Sequence, residues 1–582
     1  MLLWVCAAFA CVAVCSVKDD SIVVDETAHI PSGYAALKEQ NFILNLEHPP
    51  LIKMIAAVPM LFQKINYSSY INSMAPADEW DEGYKFFYQN KTNFDTILFS
   101  GRIALIVFYT FFMFILGVLL KQVLSPAWLG VFFIAFEPNF LAHSRYITTD
   151  AGVTLFSVLS LVSFAVSLKK EGRVYIFMTV IFTGIALLCK FSGVLVYLCI
   201  LFSFVSIELK HIFKRGSIST KFLKRFALIM AVPWVIVYLV YLVASWHVNP
   251  HQLNVLINNG TQTTELHKGT KTFLRPFVLY KIGLLHTLNR SKLKAESGHP
   301  QYLNGEVRIN KGWWYYFPLA LFYKETPILL VLLAAGLVFW LRSDKTEMLE
   351  RILFFYSGVY FCISITSNLN IGIRHIQPMI AALTLMSVSV LCRQEFWKKL
   401  RQIPSCSQKH NEAARRKRRR RTFTYVEELL TRPTKLGNRM QLGISYLTVA
   451  VQLLSIVSVY PHYLAYFNVF AGGPANGYKY LADSNIDWGQ DLSRLYLWAK
   501  KNKINSMVVH CWTETPSKYY DDGGIFKRSP EQLPADSVGT GWYLATSIAS
   551  LQLRDPSQPP GLLGNKKPVA IIGHSILVYH FP

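Results

Sequence analysis

The sequence predicts an all-α polytopic membrane protein of about eleven transmembrane helices, with a large first luminal loop and a small C-terminal α/β domain. Three observations carry this. Of 582 residues, 52% are hydrophobic and only 16% charged, where a soluble domain averages about 25% charged. Apolar runs of membrane-spanning length recur down to residue 460. Basic residues concentrate in the loops on one side of those runs, as the positive-inside rule requires. The net charge of +24 is therefore assigned to topology, and nucleic acid is excluded as a partner. The nine cysteines show no metal-site spacing, and most fall in or beside apolar runs, which argues against a disulfide framework.

The first run, residues 2–17, precedes Lys18-Asp19-Asp20. It is short for a span, so a cleaved signal peptide competes with a retained helix. The retained helix is favoured, because residues 21–24 extend the apolar stretch and no basic segment precedes it. A polar loop over 18–96 follows, holding two candidate interfacial helices near 26–40 and 50–63. Further runs lie at 97–120, 122–142, 151–168, 174–189, 191–207, 226–246, 317–341, 352–367, 375–392 and 443–460. The transmembrane domain thus covers 1–460, with luminal loops 18–96 and 247–316 and a basic cytosolic loop 393–442.

Lys169, Lys170 and Arg173, the cluster from Lys210 to Arg225, Arg342 with Lys345 and Arg351, and the run Arg415–Arg421 all fall on one face. That face is read as cytosolic, with a cytosolic N-terminus, a luminal C-terminus and an endoplasmic reticulum membrane. The Arg415–Arg421 run is read as an anchor to anionic lipid. Sequons at Asn66, Asn90, Asn259 and Asn289 all lie in the two luminal loops. Residues 461–582 change character: a helical pattern at 489–502 and strand-like runs at 506–512, 541–547 and 568–580 predict a small α/β domain.

Ionisable residues at the membrane edge are functional candidates by default. Asp25 and Glu26 stand just outside the first run, and His48 and Lys53 follow in the same loop. Arg145, Asp150, Lys190, Arg374 and His375 collect on the same side. Carboxylates on one side of an anomeric carbon and cations on the other suit displacement of a phosphate from a lipid-linked sugar. The acid deprotonates an acceptor hydroxyl and the cations hold the leaving phosphate. Structural alternatives stand beside each role. Asp25 caps a helix beginning at Glu26; Arg145 and Asp150 pair between spans; Lys190 and Lys324 snorkel; His48 is a turn element. The acids Asp483, Asp487 and Asp491 lack the glycine and closing glutamate of a calcium loop, and are read as capping or surface residues.

The Asp25-Glu26 pair, His48-Pro49-Pro50-Leu51-Ile52-Lys53, Arg145 through Asp150, and Lys190-Phe191-Ser192-Gly193 resemble motifs of the protein O-mannosyltransferases. These belong to the GT-C class of glycosyltransferases, which also contains the bacterial aminoarabinose transferase of lipid A. Tyr302–Glu306, Gly312-Trp313-Trp314, Gly372–His375 and Asp483–Gln490 are similar to bacterial-type members. The resemblance implies inverting transfer from a dolichyl- or polyprenyl-phosphate sugar, with mannose the favoured sugar. It implies Asp25 with Glu26 as the catalytic acids and places Arg145 and Asp150 in a functionally important region; with the charge pattern above, His48, Lys53, Arg145, Asp150, Lys190, Arg374 and His375 are read as the donor site. It implies no cofactor and no metal. The 247–316 loop is too short for the β-trefoil domain of that family. The acceptor (protein, glycan or lipid) therefore stays open, as does dimerisation. A transporter or lipid-sugar flippase is the alternative function, and a non-catalytic partner that kept the fold is a third.

Overall fold

The computed structural model describes residues 1–67, 78–170, 172–248, 252–253, 271–292, 299–309, 311–343, 345–393, 435–511, 526–528, 541–553 and 566–582. It is a mostly helical membrane protein with a small C-terminal sheet. Four helices are long and apolar enough to cross a bilayer among the described residues, and shorter apolar helices pack between them.

Helix α1 (Leu2–Val17) buries Leu2, Val5, Cys6, Phe9, Ala13 and Val17, a stripe at helical spacing, and leaves Leu3 and Trp4 exposed. The first loop then folds into α2 (Val24–Tyr34) and α3 (Leu51–Ala57), close to the two interfacial helices expected there. They pack tightly. A Cβ on Gly33 would lie 2.1 Å from the Lys53 carbonyl oxygen, so only glycine fits that crossing. Helix α4 (Glu79–Tyr88) starts from an Asp78 cap, whose carboxylate accepts the Trp80 and Asp81 N–H groups.

Helix α5 (Phe94–Leu120) is the first long span. The expected single span at 122–142 is instead two short helices, α6 (Ala127–Ala135) and α7 (Pro138–Ser144). The cause is local. Glu137 accepts the Asn139 and Phe140 N–H groups at 2.7 and 2.6 Å, and Pro138 occupies the first helical position, so a new N-terminus forms there. Helix α8 (Asp150–Lys169) is the hub of the core. Four of its hydroxyls turn onto its own carbonyls, Thr154 to Asp150, Ser160 to Phe156, Ser163 to Ser160 and Ser167 to Phe164, so this largely buried helix carries no stranded hydroxyl at those positions. Helices α9 (Arg173–Cys189), α10 (Gly193–Arg215) and α11 (Thr220–Ala244) follow.

The 317–341 run is likewise broken, into Tyr316–Lys324 and Pro327–Leu341, where Thr326 caps and Pro327 opens the second helix. Lys324 does not snorkel; its ammonium donates to the carbonyls of Leu464 and Asn485 at 2.8 and 2.6 Å. The 247–316 loop is not structureless, since it holds a helix at Lys271–Ser291 and a hairpin of β1 (Pro300–Leu303) and β2 (Glu306–Ile309). The Arg415–Arg421 run and Asn259 lie outside the described residues.

Toward the C-terminus, five strands form one mixed sheet: β3 (Met507–His510), β4 (Phe526–Arg528), β5 (Trp542–Ser547), β6 (Ala570–Ile572) and β7 (Ile576–Phe581), in spatial order β4-β3-β5-β7-β6. Strand β3 is parallel to β4 and β5, while β7 runs antiparallel to β5 and β6. Alternation along β7 divides its contacts. Ile576 and Val578 join Leu492, Leu495 and Ala499 of the helix Leu492–Lys501 in a separate small core, whereas Leu577 and Tyr579 join the main helical core. Residues 463–488 also contribute Tyr463, Phe467, Leu481, Ile486 and Trp488 to the main core. The segment joining the last apolar helix to the sheet is thus built into the helical body.

Candidate active site

The site forms where the ends of four elements meet. Asp25 lies in the first turn of α2, but it does not cap that helix. Glu26 does: its Oε2 accepts the Val23 N–H at 2.9 Å. Glu26 is completely buried, with Arg102 donating to both oxygens at 2.8 and 2.6 Å and the Ile147 N–H donating at 3.0 Å. Every lobe of that carboxylate is occupied, and Asp25 next to it is left to face the neighbouring helices. Removing one partner of a buried ion pair costs about 3–5 kcal/mol. Glu26→Ala is therefore expected to lower the thermal midpoint in detergent strongly, a loss that Asp25→Asn does not share; equal midpoints for the two variants would contradict this division of roles.

Asp25 Oδ2 accepts from Arg374 Nη1 at 2.9 Å. Arg374 sits in a single helical turn, Ile373–Ile376, ahead of the helix Gln377–Leu391. The same guanidinium nitrogen is 3.6 Å from Asp150 Oδ2, and Asp150 Oδ1 accepts from Lys190 Nζ at 2.6 Å. Asp150 stands at the positive end of the α8 dipole, and Lys190 in the extended break between α9 and α10. The chain Asp25–Arg374–Asp150–Lys190 is thus one alternating acid–cation array. His375 follows Arg374, its carbonyl accepting from Tyr360 at 3.0 Å, while its Nε2 is buried without a partner.

Two histidines close the other side. His29, one turn after Asp25, bonds the Ile147 carbonyl through Nδ1 at 2.7 Å, and its ring lies 5.5 Å edge-on from that of His48. Burial pushes His29 down to about 4 against the pull of Asp25, and burial together with Lys190 holds His48 well below the usual range. Both are neutral at pH 7. Burial pushes the Asp25 carboxyl up, but Arg374 and then His29 outweigh it, and the net direction is down. Asp25, His29 and His48 offer ligand atoms within 4.8 Å of one another, a set that could hold a metal ion. Arg374 and Lys190 alongside weigh against a divalent cation there.

Lys53 and Arg145 do not join the array. Lys53 is buried under the 45–48 turn and donates to the Asn45 carbonyl at 2.7 Å, to Asn45 Oδ1 at 2.5 Å and to the His48 carbonyl at 2.8 Å. It therefore shapes the loop that carries His48. Arg145 pairs with Asp20 at 2.9 Å and bonds the Ser16 carbonyl at 2.7 Å. Asp483, Asp487 and Asp491 share no centre. They are engaged by His299, by the Ala549 N–H, and by Arg494 with Ser575 respectively. Asn66 and Asn289 are exposed and Asn90 is half-buried. The sequence reading overlooked Asp20, His29 and Trp488. His29 was findable, because it stands four residues after Asp25 and so on the same helical face.

Fold and site together define a polytopic membrane protein with an acid–cation array at the ends of its helices. Residues 4–249 match the family model described as dolichyl-phosphate-mannose-protein mannosyltransferase (PMT), which bears out the resemblance read from the motifs. That stretch contains Asp25, His48, Asp150 and Lys190 but stops short of Arg374. Among solved structures, ArnT from Cupriavidus metallidurans in the apo state is similar at 12% identity and a TM-score of 0.44, over 99% of this chain and 96% of ArnT. The same protein bound to undecaprenyl phosphate is similar at 12% identity and a TM-score of 0.42, over 99% and 97%. No curated protein sequence matches significantly.

Proposed function

We propose that the protein is an inverting glycosyltransferase of the GT-C type. It moves a sugar, mannose by the pattern of the matching family, from a dolichyl or other polyprenyl phosphate to a hydroxyl, with protein Ser/Thr, a glycan or a lipid as acceptor. The observation that carries this reading is the Asp25–Arg374 contact at 2.9 Å, with Arg374 shared onward to Asp150 and Lys190. The acceptor O–H gives its proton to the Asp25 carboxylate, and its oxygen bonds to the anomeric carbon. The bond from that carbon to the phosphate oxygen breaks, and its electron pair leaves on the phosphate. Arg374, Lys190 and the free edge of His375 receive the phosphate charge. A phosphate that draws Arg374 toward itself relieves the hold on Asp25, so the base strengthens once donor is bound. The chain works in the endoplasmic reticulum membrane, with the array on the luminal side, and uses no metal or cofactor. Whether it acts alone or as a dimer does not enter this chemistry.

Two expectations follow from the electrostatics. Since Arg374 holds Asp25 below its ordinary range, the base is ionised throughout neutral pH, and the acid limb of kcat/KM lies below the ordinary carboxylate range. With His29 at about 4, no imidazole limb appears at neutral pH; a limb near pH 6.5 would count against the neutral-histidine assignment. Excess chelator leaves turnover unchanged, and loss of activity restored by a divalent ion would move Asp25, His29 and His48 into a metal centre. A transporter reading draws on the helix breaks at Glu137 and Glu325. Vesicles settle it: labelled lipid-linked sugar either yields a glycosidic product or only changes leaflet.

A further inference from the structure

Resting on the glycosyltransferase reading, we infer that Trp488 is a positioning residue that sets Arg374 for the donor phosphate. The segment Asp483–Arg494 that carries it is then a working wall of the active site, although it lies far outside the stretch matching the family model. Trp488 is 1% exposed, and its ring lies under the Arg374 guanidinium, 4.1 Å from its centroid. The same segment grips both halves of the array. Toward Arg374, Asn485 Oδ1 accepts the Ile373 N–H at 3.0 Å and Ser484 Oγ donates to the Ile371 carbonyl at 2.8 Å. Toward Asp25, the Trp488 carbonyl accepts the Val24 N–H at 3.1 Å and the Gln490 carbonyl accepts the Ser21 N–H at 2.8 Å.

A chain of buried ion pairs anchors that grip. Arg494 bridges Asp20 at 2.5 Å and Asp491 at 2.7 Å, and Asp20 continues to Arg145 at 2.9 Å. Asp491 in turn accepts from Ser575 at 2.7 Å, and a Cβ on Gly573 would fall 2.0 Å from its carboxylate, so the sheet is locked onto the same aspartate. Arg374 has a buried Nε without a partner. An aromatic face below a guanidinium fixes its plane while leaving its edge donors available, which suits a group that must hold an acid now and a phosphate later.

The test is binding of dolichyl phosphate to the full-length protein in nanodiscs, with thermal midpoints measured in parallel. Trp488→Phe keeps a ring face and is expected to bind within about threefold of wild type. Trp488→Leu is expected to weaken binding about tenfold, the range of a desolvated cation–π contact. In an Arg374→Ala background, either Trp488 substitution is expected to have no further effect. Binding by Trp488→Leu equal to wild type, or losses that simply multiply in the double variant, would overturn the positioning role while leaving the glycosyltransferase reading intact. Should Trp488→Leu fail to fold, Trp488→Met, which also lacks a ring face, takes its place in the cycle under the same criterion. No binding by wild-type protein would overturn both.

Discussion

Asp25→Asn is expected to lower the turnover of a dolichyl-phosphate sugar by about 10²–10⁴-fold, the contribution of a positioned general base. The thermal midpoint should stay close to that of wild type. Asparagine occupies the same volume and its carbonyl can still accept from Arg374, which is 2.9 Å away. What disappears is the ability to take a proton from the acceptor. Binding of dolichyl phosphate should persist, because the cations that receive it are untouched. Asp25→Glu serves as a second reading. It restores a base but moves it by one methylene, and near-attack geometry is sensitive to displacements of about 1 Å, so partial recovery is expected. Parallel assays of turnover and lipid binding check both variants.

Arg374→Ala carries the other large effect. Its guanidinium serves Asp25 and Asp150 at 2.9 and 3.6 Å and is the central cation of the array. Loss of a donor aimed at developing charge costs about 10²–10³-fold in turnover, and here donor affinity should fall with it. Arg374→Lys is not a conservative rescue. A lysine keeps a charge but has no planar guanidinium to lie flat on Trp488, so it should recover little. Lys190→Ala is the internal comparison: Asp150 keeps Arg374, so the loss should be smaller. Arg374→Lys with wild-type kcat/KM would remove the planar guanidinium from the mechanism.

Much of this arrangement was legible in the sequence. Two acids beside a polar first loop, followed by an apolar run every twenty or so residues, were enough to predict the helical body with α2 and α3, and Asp25, Asp150, Lys190 and Arg374, singled out in the sequence, lie in one array. Arg145 was misplaced because a cation at a membrane edge does not disclose its partner. Asp20, only three residues after Val17, proved to be that partner. The helix breaks at Glu137 and Lys324 were hidden inside unbroken hydropathy, although Pro138 and Pro327 marked both. The division between Asp25 and Glu26 needed coordinates. Two adjacent acids look alike in sequence, and only the Arg102 and Ile147 contacts distinguish the buried strut from the available carboxylate. The wall made by Asp483–Arg494 was a motif without a partner until the chain brought it against a loop more than four hundred residues earlier.

The most direct measurement follows labelled dolichyl-phosphate mannose with the purified full-length protein in nanodiscs, together with an acceptor extract, and quantifies free dolichyl phosphate and newly formed glycosidic product. The account predicts that wild-type protein releases both in equal amounts, with inverted anomeric configuration, and that Asp25→Asn releases neither while still binding dolichyl phosphate. Equal product from Asp25→Asn, or label that crosses a bilayer in vesicles with no glycosidic product at all, would contradict it.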